Sequence, residues 1–130
     1  MQTREQHYAK TVLECVQACK KLQASDQNVY GSMSHQLPIL IRTAGLAQAL
    51  AFVDSRDVKI LKTLLDDIAQ TVGLNRLTLL QRSREAELSA YMHLTQQVLT
   101  ALLWFKRFAQ SVLDVQTPDS DALQAERGTV

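Results

Sequence analysis

Apolar residues recur along most of this chain at intervals of three and four, the spacing of one face of an α-helix. Tyr8, Val12, Cys15, Val16, Cys19 and Leu22 form one such face on a helix expected over residues 3 to about 24. Lys10, Glu14, Gln17 and Lys21 form its opposite face. Thr3 and Gln6 stand at capping-box spacing, where each side chain satisfies the other residue's backbone N–H. The run Ser25-Asp26-Gln27-Asn28 reads as a polar break.

Residues 37–53, LPILIRTAGLAQALAFV, break the one-sided pattern. At 100° per residue their apolar side chains fall on every side, with Arg42 the only charge. A helix apolar all round is either a membrane span or the buried centre of a bundle. A span needs about 20 apolar residues and disfavours interior charge, so a buried central helix running to about residue 54 is expected. Pro38 is placed in its first turn, with one longer helix from about residue 28, kinked at Pro38, as the alternative. Gly45 and Ala49 share a face and would let a neighbouring helix approach closely. Arg42 must pair, extend to solvent or meet a partner.

Ser55-Arg56 separates this helix from one over residues 57–72, whose apolar face is Val58, Leu61, Leu64, Leu65, Ile68 and Val72 and which Gly73 closes. A short helix is expected around residues 77–82. The longest is expected from about 84 to 115, capped by Ser83. Tyr91, Leu94, Val98, Leu102, Phe105, Ala109 and Val112 line one of its faces, and Arg107 lies near the middle of the opposite one. No stretch alternates with period two. The expected fold is therefore an all-α single-domain bundle of about five or six helices over residues 1–115, with a polar tail over 116–130.

Composition supports helix, since only four glycines and two prolines interrupt 130 residues. The net charge of +1 conceals an asymmetry. Before Asp114 there are 13 basic and 9 acidic residues; from Asp114 onward there are 1 basic and 4 acidic. The body is mildly basic and the tail acidic. The first ten residues, MQTREQHYAK, lack the apolar run of a secretory signal, so a cytoplasmic location is expected.

Chemistry is sparse. Cys15 and Cys19 are one helical turn apart, but no second ligand pair accompanies them, so they read as two buried thiols rather than a zinc site. No nucleophile motif or glycine-rich phosphate loop occurs, and no cofactor is expected. Adjacent Asp66 and Asp67 point about 100° apart, so they read as solvated surface rather than an acid/base pair. An enzyme is not expected. The remaining signal is scattered base: Lys20-Lys21, Arg56 with Lys59 and Lys62, Arg82 with Arg84, and Lys106-Arg107. Trp104, three residues before Arg107, sits at the edge of the polar face, where it can stack a base or seat a neighbouring subunit.

Two segments also carry a resemblance. In YGSMSHQLPILIRTAGLAQALAFV, the pairs Tyr30-Gly31, Leu37-Pro38, Ile41-Arg42 and Gly45-Leu46, and Gln48 with Ala51-Phe52, resemble the signature of the small subunit of type III-B CRISPR–Cas effectors, the Cmr complexes. The later YMHLTQQVLTALLWFKRFA is similar to that family's final helix. The resemblance implies a non-catalytic, all-helical subunit. Its partners would be the other Cmr subunits, further copies of itself, and the backbone of guide and target RNA, with no membrane and no small-molecule substrate. An RNA-guided effector leaves sequence reading to base pairing, so such a subunit needs only positive charge and shape.

The resemblance carries over Arg42 and Arg107 as RNA-contacting candidates. Lys106 points nearer the apolar arc, and Lys59 and Lys62 rest on charge alone. A single basic face including Arg107 and one or more of Arg42, Lys59 and Lys62 is expected. The alternative is a cytosolic helical adaptor that binds only protein, through Trp104 and the tail.

Overall fold

The computed structural model describes residues 1–116; the expected tail lies almost wholly outside the described residues. Six helices follow in order, α1 (Arg4–Lys20), α2 (Ala24–Ala44), α3 (Leu46–Ser55), α4 (Lys59–Thr71), α5 (Arg76–Glu85) and α6 (Leu88–Ser111). No strand occurs among the described residues. They enclose one apolar core, in which Tyr30, Leu37, Leu50, Leu64, Leu65, Ile68, Leu102 and Phe105 are fully buried.

The capping box is present. Thr3 Oγ1 accepts from the Gln6 N–H at 3.1 Å, and the Thr3 N–H donates to Gln6 Oε1 at 2.8 Å. The expected polar break at residues 25–28 is instead the first turn of α2, and the real turn is residues 21–23. Gln27 explains the shift. Its Nε2 donates to the carbonyls of Lys20 and Leu22, at 3.0 and 2.8 Å, so it satisfies backbone acceptors at the end of α1. Those polar residues close one helix while belonging to the next.

The expected central helix divides at Gly45. Of the two readings of Pro38, the longer helix holds: α2 runs through Pro38, which is buried, and ends at Ala44. Gly45 then adopts φ +90°, ψ 158°, a backbone conformation that L side chains rarely enter, and α3 begins. Glycine brings no capping side chain to α3, and the Tyr91 hydroxyl takes that role by accepting from the Ala47 N–H at 3.3 Å. Nor is the segment buried all round. Ile39 and Phe52 are 55% and 48% exposed, and Arg42, Gln48 and Ala51 also face solvent.

Helix α4 starts two residues later than expected, after Asp57 at φ +53°. It ends as expected at Gly73, φ +82°, with the Gly73 N–H donating to Gln70 O and the Leu74 N–H to Ala69 O. Helix α5 is capped by Asn75, which accepts from the Thr78 N–H at 2.8 Å, and is longer than expected at its C-terminal end. Ser83 is therefore not the cap of α6. It is buried inside α5 and donates to Leu80 O at 2.7 Å. Beyond α6, the Val115 N–H donates to Ala109 O, and Val115 packs on Gly31, where an added Cβ would lie 2.7 Å from it. The His35 Nε2–H donates to Val115 O at 2.8 Å.

Helices α2 and α6 are antiparallel. Tyr91 near the start of α6 meets the end of α2, and Phe105 lies against Tyr30 with ring centroids 6.3 Å apart.

The paired aspartates part company. Asp66 is exposed and meets Arg76 at 3.6 Å, whereas half-buried Asp67 accepts from the Tyr30 hydroxyl at 2.7 Å. The expectation that both are solvated surface is thus wrong for Asp67, because residue 67 is on the inward side of α4, near Leu64 and Ile68. Cys15 and Cys19 are buried and free, and no group of three His, Cys, Asp or Glu residues is placed to hold a metal among the described residues.

Candidate nucleic-acid interface

Arg107 emerges from the outer side of α6 in its last two turns. Its guanidinium lies 5.1 Å from the centre of the Trp104 ring, and Trp104 stacks on Phe108 at 5.7 Å and 28°. The i, i+3 and i+4 spacings of one helix are what bring these groups together. The stacked pair holds the guanidinium against an aromatic face and leaves the side chain accessible at the surface. Leu103, Lys106, Arg107 and Gln110 line a shallow depression of about 240 Å³ beside it. Lys106 is half-buried, as its position nearer the apolar arc implies.

The other candidates fall elsewhere. Arg42 is exposed in the last turn of α2, where a cation suits the helix dipole, so it reaches solvent rather than bracing the core. Measured against the Tyr30–Phe105 contact, Arg42 is 12 residues along α2 in one direction and Arg107 two residues along α6 in the other. At 1.5 Å per residue they are separated by about 21 Å along the bundle. Along the bundle axis these two residues therefore do not sit side by side.

Lys62 is held by Asp57 at 3.2 Å and Asp54 at 3.9 Å, so its charge is locally matched. The turn before α4 brings both carboxylates back over its first turn. Lys59 is exposed at the start of α4, on the rim of a groove facing α1. Arg42, Lys59, Lys106 and Arg107 make no ion pair within 4.0 Å among the described residues, whose ion pairs are those of Lys62 and Arg76. No helix among the described residues is long and apolar enough to cross a membrane.

The described residues thus form a small all-α bundle with an arginine laid on an aromatic pair. The family model for CRISPR-associated protein (Cas_Cmr5) matches residues 4–112, and the chain belongs to that family. It is 45% identical over 115 residues to the CRISPR system Cmr subunit Cmr5 of Thermus thermophilus, covering 88% of this chain and 99% of that protein. The crystal structure of a CRISPR-associated Cmr5 family protein from the same organism is similar, with a TM-score of 0.80 and 45% identity, over 86% of this chain and 98% of that one. The resemblance read from residues 30–53 and 91–109 is thus the right family. The family match ends one residue beyond α6.

The reading from sequence missed Asp67 as a structural centre. The available signal was its spacing from Leu64 and Ile68 on an amphipathic helix, which places residue 67 on the inward half.

Proposed function

We propose that the chain is a subunit of a Cmr effector complex, that it is non-catalytic, and that it works inside the cell. In that complex it stacks beside further copies of itself and contacts the backbone of the guide–target RNA without reading sequence. The family membership supports the assembly. The observation that carries the RNA contact is Arg107, exposed, without a carboxylate among the described residues, and held against the Trp104 ring. Arg42 and Lys59 supply separate cationic points, and Lys106 adds to the Arg107 patch. One such subunit neutralises few phosphates, so free RNA binds weakly, and a row of subunits adds its contacts through avidity.

The test is target-RNA affinity of the reconstituted complex at two salt concentrations, with wild-type and Arg107→Glu subunits. Weaker binding and a shallower salt slope for the variant support the reading. Equal affinity and slope transfer the Trp104–Arg107 surface to a protein partner. Leu103, 57% exposed beside this patch, favours that second reading of a purely protein-binding adaptor.

A further inference from the structure

A groove runs between α1, the start of α2 and the first half of α4. Its volume is about 460 Å³, within the usual range of binding pockets, and it is open to solvent on one side. Cys15, Ala18, Cys19, Leu22 and Ile60 make its walls largely apolar, and Asp67 and Asp26 supply two carboxylates. Leu22 is 44% exposed at the groove.

Asp67 has no cationic partner within 4.0 Å among the described residues. The Tyr30 hydroxyl donates to Oδ2, and the Cys15 thiol lies beside the carboxylate. Burial is the largest influence on this carboxyl and raises its pKa above the ordinary 3.8, against the Tyr30 and Cys15 groups, which lower it. Lys59, the groove's only cation among the described residues, is eight residues from Asp67 along α4, about 12 Å away along the helix axis. A carboxylate in an apolar groove without a counter-ion is costly, and a cation inserted from outside removes that cost.

We propose that this groove receives a lysine or arginine side chain from a neighbouring protein subunit, its aliphatic stem lying along Ala18, Leu22 and Ile60 and its charged head on Asp67. The proposal rests on the reading of the chain as a subunit of an assembly. The shape selects a tethered side chain. A free small molecule needs most of its surface covered, and a groove open along one side does not provide that. Two carboxylates against one lysine supply the charge complementarity.

Two measurements test it. The first is an NMR titration of the intact free subunit with butylguanidinium, with butanol as an apolar control. Saturable shifts at the backbone amides of Cys15, Ala18, Cys19, Ile60 and Thr63, with a Kd on the order of millimolar for so small a ligand, are expected. They should be absent with butanol and at least tenfold weaker in Asp67→Asn, which keeps an acceptor for Tyr30. No saturable shift, or equal shifts in Asp67→Asn, overturns the proposal.

The second places a reporter thiol at the groove, Ala18→Cys, and follows maleimide labelling in the free subunit and in the reconstituted complex. Assembly should slow labelling at least tenfold, and adding Asp67→Asn should restore much of the rate. Unchanged labelling in an assembled complex overturns the proposal while leaving the subunit reading intact. A wild-type chain that does not enter the complex at all overturns both. Wild type assembling while Ala18→Cys does not shows that position to be an interface, and labelling at Thr63→Cys then decides the groove by the same criterion.

Discussion

The Tyr30 hydroxyl donates to Asp67 Oδ2 at 2.7 Å, joining a fully buried residue of α2 to the inward side of α4. Both groups lose water on folding, and each is the other's hydrogen-bond partner. Tyr30→Phe leaves the carboxylate without this donor. The expected cost is about 1–3 kcal/mol, read from urea denaturation at pH 7. Wild-type stability would mean that water replaces the hydroxyl without loss.

Asp67→Asn should change the pH dependence of stability in a defined direction. A carboxyl with a folded-state pKa raised above its unfolded value of 3.8 contributes stability that is fully present below that value. That contribution is lost as pH rises through the folded pKa. The variant should therefore gain on wild type as pH rises above about 4, and the two stability curves should run parallel below that. A variant that loses ground to wild type as pH rises contradicts the assignment.

The groove thiols should be slow to react. Burial, followed by the charge of Asp67, pushes Cys15 up to about 12 and Cys19 to about 11. Little thiolate then exists at pH 8, and iodoacetamide labelling of the folded protein should be at least about 100-fold slower than in urea. Mass spectrometry of timed aliquots reads the rates. Comparable rates would show that the groove opens readily.

Two glycines with similar positive φ should behave differently. Gly45 has φ +90°, and a Cβ there would sit 3.2 Å from the Tyr91 hydroxyl that caps α3. Gly73 has φ +82° and open space within 4 Å. Gly73→Ala should cost roughly 1 kcal/mol, the strain of the left-handed region alone. Gly45→Ala should cost more, about 2–3 kcal/mol, because the cap moves as well. Thermal or urea unfolding of the pair decides it, and equal losses would remove Tyr91 from the account.

Gly31→Ala should displace the segment after α6. The new Cβ would lie 2.7 Å from Val115 Cβ, and Val115 lies beyond the end of α6 rather than inside a helix. A loss of about 1–3 kcal/mol is expected, with most of the added loss recovered in the double variant Gly31→Ala, Val115→Gly. Additive losses would place the strain elsewhere.

Much of the fold is legible without coordinates, because helical periodicity is local. The Thr3–Gln6 capping box, the Gly73 terminus and the buried faces of α1, α4 and α6 all follow from spacings within one or two turns. The family was legible too, from residues 30–53 and 91–109, and the match over residues 4–112 agrees. Arg107's place on the outer side of α6 belongs to the same class of inference, as does the nearness of Trp104 on the same helix.

Tertiary structure decided what depends on residues distant in sequence. Gly45 ends α2 and Tyr91, 44 residues beyond Ala47, caps the next helix, so the continuous apolar run 37–53 became two helices. The spacing of α4 turns Asp67 inward, but its hydrogen-bond donor, Tyr30, lies 37 residues away and is supplied only by packing. Lys62 was taken up by Asp54 and Asp57 across a turn. Arg42 and Arg107 were set about 21 Å apart by the antiparallel register of α2 and α6. Spacing along a helix determines which side chains share a face. Which groups face one another, and which charges are left unmatched, depends on how separate helices pack, and periodicity within each helix carries no record of that.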